Sequence, residues 1–575
     1  MYNPIPGYQF VHGLYIPAKE EGGDDAIFAV LKEQATDKPK IQIVRNPKFK
    51  VWLMRKALRQ TYDQRIEDAP LSQLDEFVCN YKDMIPRIAK ELGYRSYPGK
   101  KLYANQILSS PYVFGCDVNP VVRMKQEYIE TTPGLVKNLS FGSYDLEVSI
   151  LGDNEILCSS FVDWDKKQAY CHINARWYEP KEGWEKELHD LFLIKKQEAY
   201  NQMNDKAKGK FEPEQWQVTF VMCPTERELI LKTWATIHKS KVLFLGIWNS
   251  TYDMPMTMDR ASFNMIDHTT LFSHPDIPPE WRYFKYCADN GRHAHFTDRW
   301  DVTLNTAYCY ILDSMCLYSR TRKVQGREST YALDYISKKI TGVGKIGLED
   351  TGNHHLMQTK YKPQYCVYNV FDSILVGLMN SVTDDITGML ATQGPSLISD
   401  LARQTTSLVH QFYQYAIDNN RMIGSCGGKS MVDKYDELIG NVGGVVADPN
   451  KLKSPGVSCL KESDEGTWMR KLTCDLDVSS FYPSMDIAAN ISRATKLLTV
   501  LSINNMPYSD EEILEETNEE RKRKKQAANA EYIDNFFGRA SFPDENCVSL
   551  GAGYFNLKGY VDMLNLYNKS KMEGK

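Results

Sequence analysis

At 575 residues the chain is too long for one ordinary domain, and three or four domains are the natural expectation. Hydrophobic residues at 42% and charged residues at 25% exclude a disordered or fibrous chain, no apolar run reads as a membrane span, and thirteen cysteines without a C-x-x-C pair exclude a zinc ribbon or a disulfide framework. The net charge of −5 argues against a uniformly basic nucleic-acid binder, although carboxylates gathered around metal ions give the same balance.

Residues 1–139 mix strand-like runs, 41–44 and 50–54, with a helix-like pattern over 71–92, and carry no chemistry that can be named. From Ser143 the pattern changes. Tyr144, Leu146, Val148 and Ile150 alternate with Asp145, Glu147 and Ser149, which predicts a strand; the Gly152-Asp153-Asn154 turn leads to further strands over 155–164 and 168–173. Thr225 and Glu228 form a capping box for a helix whose apolar face holds Leu229, Ile230, Trp234 and Ile237. A buried strand over 242–248 follows, and Asn290-Gly291 between runs 281–288 and 293–297 predicts a β-hairpin. Val367, Val370, Phe371, Ile374 and Leu378 have helical spacing, as does the stretch 397–418. A glycine-rich joint over 424–444 precedes the last segment, where Arg521 to Lys525 reads as the solvated face of a charged helix.

Three short motifs carry acids. In Asp145-Leu146-Glu147 the two carboxylates share one face of a strand, roughly 6.5–7 Å apart at Cα, an arrangement that suits divalent cations. Asn249-Ser-Thr-Tyr252-Asp253 follows a buried strand, where α/β folds bind ligands. Tyr368-Asn-Val-Phe-Asp372 puts a phenol and a carboxylate on one helical face. Taken singly, each has a plain structural reading: a solvated strand face, a helix cap and a surface pair.

In this order and with these contexts, the three motifs resemble those of DEDDy 3′–5′ exonucleases. Tyr331-Ala-Leu-Asp-Tyr-Ile-Ser337 and Val343-Gly-Lys345 resemble the matching stretch of T-even bacteriophage DNA polymerases. Further on, Cys474-Asp-Leu-Asp477-Val-Ser-Ser480-Phe-Tyr482-Pro-Ser484 resembles motif A of B-family polymerases, and Gly443-Gly444 the joint between exonuclease and palm, with Asn441 in place of its tyrosine. The resemblance implies an α/β and α+β multidomain chain. Its parts would be an N-terminal domain (1–139, with 386–430 packing back on it), a ribonuclease-H-like exonuclease (140–385) and a partial palm (431–575).

It also implies roles. Asp145, Glu147, Asp253 and Asp372 would hold two Mg²⁺ or Mn²⁺ ions about 3.5–4 Å apart, with Tyr368 orienting the attacking water. Asn249 and Tyr252 would position the terminal nucleotides. Asp477 would bind the polymerase-site metals, while Ser480, Phe481 and Tyr482 meet the deoxynucleoside triphosphate.

Polymerase motifs B (K-x-x-x-N-S-x-Y-G) and C (Y-x-D-T-D-S) do not occur in these residues; Thr383-Asp384-Asp385 is nearest to the latter and precedes motif A. The expected protein is therefore the exonuclease-bearing part of a viral replicative polymerase in the cytoplasm of an infected cell. It would act on primer-template and single-stranded DNA, with a second polypeptide supplying fingers, motif C and thumb. A free-standing exonuclease with a vestigial palm and a non-catalytic DNA-binding accessory protein are the alternatives.

Overall fold

A computed structural model of the chain describes residues 2–20, 22–61, 68–93, 107–108, 110–152, 154–289, 295–346, 353–400, 404–425, 459–462, 468–470, 507–509, 512–513 and 515–538. Motif A with Asp477, Ser480, Phe481 and Tyr482, the Asn290-Gly291 turn and most of the glycine-rich joint lie outside the described residues. The protein is mixed α/β with several sheets, and it divides into two compact units, Met1–Asn441 and Val442–Lys575.

The first unit opens with an antiparallel sheet of β1 (Tyr8–Ile16), β2 (Ala26–Glu33) and β3 (Pro39–Arg45). In a second sheet β4 (Lys48–Met54) pairs with β5 (Leu74–Asn80) along its whole length. The helical expectation for 71–92 therefore holds only for α1 (Met84–Glu91). The i, i+3 spacing of Leu71, Leu74 and Phe77 mimics a helix, but pairing with β4 places Phe77 and Cys79 on one strand face against the buried Phe49, Val51 and Leu53. The strand Arg421–Ile423 returns to pair with Asp68–Pro70, and Leu397, Tyr413 and Met422 share a core with Phe10, Trp52 and Val121.

The central sheet has six strands. β6 (Phe141–Val148), β7 (Ile156–Asp163) and β8 (Gln168–Asn174) form an antiparallel meander; β9 (Gln217–Cys223) runs parallel to β8, and β10 (Phe244–Ile247) parallel to β6. After α2 (Glu226–Ser240) and α3 (Ser250–Phe263), the hairpin expected around Asn290 takes a different form. β11 (Phe284–Cys287) pairs with β12 (Val302–Asn305), while Phe296–Asp298 is a 3₁₀ turn. Ladder hydrogen bonds to a strand beyond the predicted partner decide this register. β13 (Tyr310–Asp313) completes the large sheet beside β10, giving the order β9-β8-β7-β6-β10-β13.

Helices cover both faces, which is why β7 is buried at every position. On one face α2, capped by the Thr225 hydroxyl accepting from the Glu228 amide, packs Leu229, Ile230, Trp234 and Ile237 against Tyr144, Leu146 and Phe161. On the other, α4 (Leu333–Thr341) and α5 (Lys362–Thr383) contribute Leu333, Val370, Phe371 and Ile374 to a core with Cys158 and Val162. By length and composition α5 could cross a membrane, unlike the expectation from sequence, but 78% of that stretch is buried inside the protein. Small residues let it sit close: Ser143 donates to the Ser373 carbonyl and Ser160 to the Asn369 carbonyl.

In the second unit β14 (Cys459–Glu462) pairs with β15 (Trp468–Arg470), and α6 (Glu519–Gly538) carries the basic cluster. Arg521, Arg523 and Lys524 are exposed, and Lys525 pairs with Glu516 at 3.1 Å, as a solvated face requires.

Candidate active site

The alternation of β6 decides which side chains reach the site. Tyr144 and Leu146 enter the core under α2, so Asp145 and Glu147 point to the opposite face, toward α5. On α5, Tyr365, Asn369 and Asp372 fall on one stripe at helical spacing, with Tyr368 beside it. The two elements meet in specific hydrogen bonds. Asn369 Nδ2 donates to Asp145 Oδ2 at 2.6 Å, and the Tyr365 hydroxyl donates to Glu147 Oε2. One carboxylate oxygen each from Asp145, Glu147 and Asp372 lies within 4.8 Å of the others, forming a buried acidic cluster able to hold a metal ion.

Asp253 approaches from α3 and stands apart from that tight trio. It lies in the helix's first turn and is buried; the helix begins at Ser250, ahead of the start near Pro255 that a capping role for Asp253 would need. The sharp exit from β10 is made by Asn249, whose left-handed backbone (φ +69°) a short polar side chain tolerates. Asp313 at the end of β13 secures this corner: its Oδ2 accepts from the Ser250 amide at 2.7 Å and its Oδ1 from the Cys316 amide at 2.8 Å. Tyr252, one residue before Asp253, is half exposed at 47%.

The cluster is electrostatically strained. Burial first, then the charges of Asp253, Asp372 and Glu147, hold the Asp145 carboxyl well above the carboxylate range. Burial raises Asp253 likewise, with Glu147 and Asp313 adding to it. Glu147 is pushed up to about 7 by burial and the Asp372 charge, against the lowering effect of the Tyr365 hydrogen bond. Three acids whose ionised forms repel at such range need a cation, and one is already there.

That cation is Lys345, which sequence reading connected with the site only as part of a resemblance. Its Nζ donates to Asp372 Oδ2 and, at 2.7 Å, to the Tyr368 oxygen. Burial works against its charge, but Asp372, Tyr368 and Asp145 outweigh it and keep the ammonium protonated. The Lys345 amide is anchored on Asp334 Oδ1 of α4 at 2.8 Å. Gly344 makes that approach possible, because a Cβ there would fall 2.2 Å from the same oxygen. Tyr365 and Asn369 were also absent from the sequence reading; their place on the stripe with Asp372 was the available signal.

Comparison of the chain with protein families and with curated proteins finds no match. The chemistry of the site thus rests on its own geometry. Asp372 Oδ1 is buried without a hydrogen-bond partner, and Asp145 and Glu147 keep part of their surface open to solvent, so a hard divalent cation fits the donor set: oxygen ligands, net negative charge and an open side.

Proposed function

We propose that the first unit is a metal-dependent 3′–5′ exonuclease with ribonuclease-H-like topology, acting on single-stranded DNA ends. The observation that carries the reading is the convergence of Asp145, Glu147 and Asp372 on one point, with Asp253 alongside. An antiparallel meander continued by two parallel strands, with acids on its first strand, supports the fold assignment.

Asp145, Glu147, Asp253 and Asp372 would hold Mg²⁺ or Mn²⁺. When bound, the ions supply Lewis-acid activation of water and neutralise charge on the phosphodiester. The chain's own groups do the positioning. Tyr368 accepts from Lys345, which leaves its hydroxyl proton to orient water or a phosphate oxygen. Lys345 brings a fixed positive charge to the place where phosphate charge develops. Tyr252, exposed beside Asp253, offers a ring on which a terminal base can stack, and Asn249 sits at the same corner. Asp145→Ala combined with Glu147→Ala should abolish Mg²⁺-dependent digestion while leaving the fold intact; undiminished digestion by that double variant overturns the assignment.

The string around Asp477 favours one addition. Its resemblance to motif A supports reading the chain as part of a B-family DNA polymerase of T-even phage type, in which Asp477, Ser480, Phe481 and Tyr482 would bind metal and deoxynucleoside triphosphate. Such an enzyme also needs a second palm acid and fingers, which these residues do not supply.

A further inference from the structure

A second cluster lies behind the acidic one. Cys158 on β7, Cys171 on β8 and Cys366 on α5 are completely buried, and their three sulfurs lie within 4.8 Å of one another. Cys158 and Cys171 are set diagonally across the β7–β8 ladder, where Cys158 faces Ile173 and Cys171 faces Ser160. Cys366 drops onto them from the helix, its carbonyl accepting from the Cys171 thiol at 3.8 Å. Small thiols are ordinary at a close helix–sheet joint, and packing alone accounts for any one of them. Two features go further: all three converge on one point, and a polar group beside them is left unsatisfied.

That group is the Tyr178 hydroxyl. Tyr178 is 6% exposed, shares one core with the three cysteines, and its oxygen is buried with no hydrogen-bond partner. A buried hydroxyl with no hydrogen-bond partner is costly, and an anionic sulfur as its acceptor would remove that cost. Sulfur–metal bonds of about 2.3 Å put three thiolates around one ion at separations of about 4 Å. The trio therefore needs to contract by less than about 1 Å to close on an ion of that size.

We infer that Cys158, Cys171 and Cys366 form a three-thiolate site for a soft divalent ion of the Zn²⁺ or Cd²⁺ class, with the Tyr178 hydroxyl as donor to a ligating sulfur. Loading replaces S–H bonds by sulfur–metal bonds, and the displaced protons pass to solvent. Three thiolates and a dication leave one net negative charge, which a hydrogen bond from the phenol would stabilise. The ion ties β7, β8 and α5 together immediately behind Tyr365 and Glu147, since Cys366 adjoins Tyr365 and Cys158 faces Glu147 across the β6–β7 ladder. It would act as a structural staple for the helix that carries Tyr368 and Asp372.

The test uses the full chain, reduced, stripped with chelator and kept in excess Mg²⁺ so that the carboxylates are occupied. Titration with Cd²⁺ should give a thiolate-to-metal charge-transfer band saturating at one equivalent and a higher melting temperature. Cys171→Ser and Cys366→Ser should lose the band, Cys309→Ser should keep it, and Tyr178→Phe should weaken binding by about tenfold, the low end for loss of a group that supports a ligand. If the cysteine variants do not fold, X-ray absorption on the native one-equivalent complex decides the matter. Three sulfur neighbours support the site, and an oxygen-only shell overturns it. No band in the native chain, or an unchanged affinity in Tyr178→Phe, also counts against the proposal.

Discussion

Lys345 donates through Nζ to Asp372 Oδ2, while the other oxygen of that carboxylate is buried with no hydrogen-bond partner. A charge half satisfied on one side and open on the other is the arrangement a metal ion completes. The lysine therefore offsets part of the charge of the acids itself and, on the proposed function, would also meet phosphate beside a bound metal ion.

Removing that charge should separate binding from turnover. Lys345→Met deletes a cation that competes for Asp372, so Mn²⁺ should bind the cluster more tightly than in the native chain. Hydrolysis of single-stranded DNA should nevertheless fall by about 10²–10³, the usual loss when a preorganised charge donor is removed. Mn²⁺ titration by electron paramagnetic resonance, run beside single-turnover digestion, separates the two effects. Weaker Mn²⁺ binding with unchanged turnover would make Lys345 a purely structural anchor.

The raised carboxyl of Glu147 gives the metal-free chain a defined pH response. Its value of about 7 lies above the ordinary 4.5, so it favours the folded state at low pH and loses that contribution as pH rises through about 7. The loss amounts to at most about 3 kcal/mol, and less where solvent reaches the group. Melting temperature in chelator should thus drop between about pH 4.5 and about pH 7 and level off above. Added Mg²⁺ should flatten the drop, because the ion binds the deprotonated form. A metal-free melting curve that rises over this range contradicts the charge assignment.

Tyr365→Phe tests the helix stripe. The hydroxyl donates to Glu147 and holds its carboxyl below where burial alone would leave it. A hydrogen bond to a charged group is worth about 1.5–3 kcal/mol, so its loss should move the acid limb of the exonuclease pH profile up by about one to two units. Activity should recover at higher pH. An unmoved limb would place Glu147 outside the titration that controls the rate.

Much of this arrangement was legible in the sequence because it follows from local periodicity. The two-residue alternation of β6 announces which face holds Asp145 and Glu147, and the Thr225 box announces the start of α2. Tyr368 and Asp372 read as a pair for the same reason. Lys345 was harder, because a short connection brings it to the acids and its position depends on the Gly344 approach to Asp334. β5 failed as a helix because its spacing fits both periods and only pairing with β4 decides between them. The partner of β11 was likewise set by a ladder that no turn signal encodes.

Nucleotidyl transfer needs at least two carboxylates to hold its metal ions and positive charge to meet the triphosphate. These residues supply Asp477 without motif B or C. The 575-residue chain alone should therefore incorporate no deoxynucleotide on a primed template. Adding a polypeptide that carries motifs B and C should start synthesis, and Asp477→Ala should stop it without slowing hydrolysis. Robust extension by the pure chain would show that the catalytic residues lie elsewhere.

The polarity of degradation and its metal requirement decide whether the first unit is a 3′–5′ exonuclease. A single-stranded DNA labelled at its 5′ end, incubated with the purified chain and Mg²⁺, should shorten one nucleotide at a time into a descending ladder. Chelator should stop the reaction, and so should a 3′ end blocked with non-hydrolysable linkages. Immediate release of the labelled 5′ nucleotide, digestion that persists in chelator, or an intact strand after prolonged incubation would contradict the account.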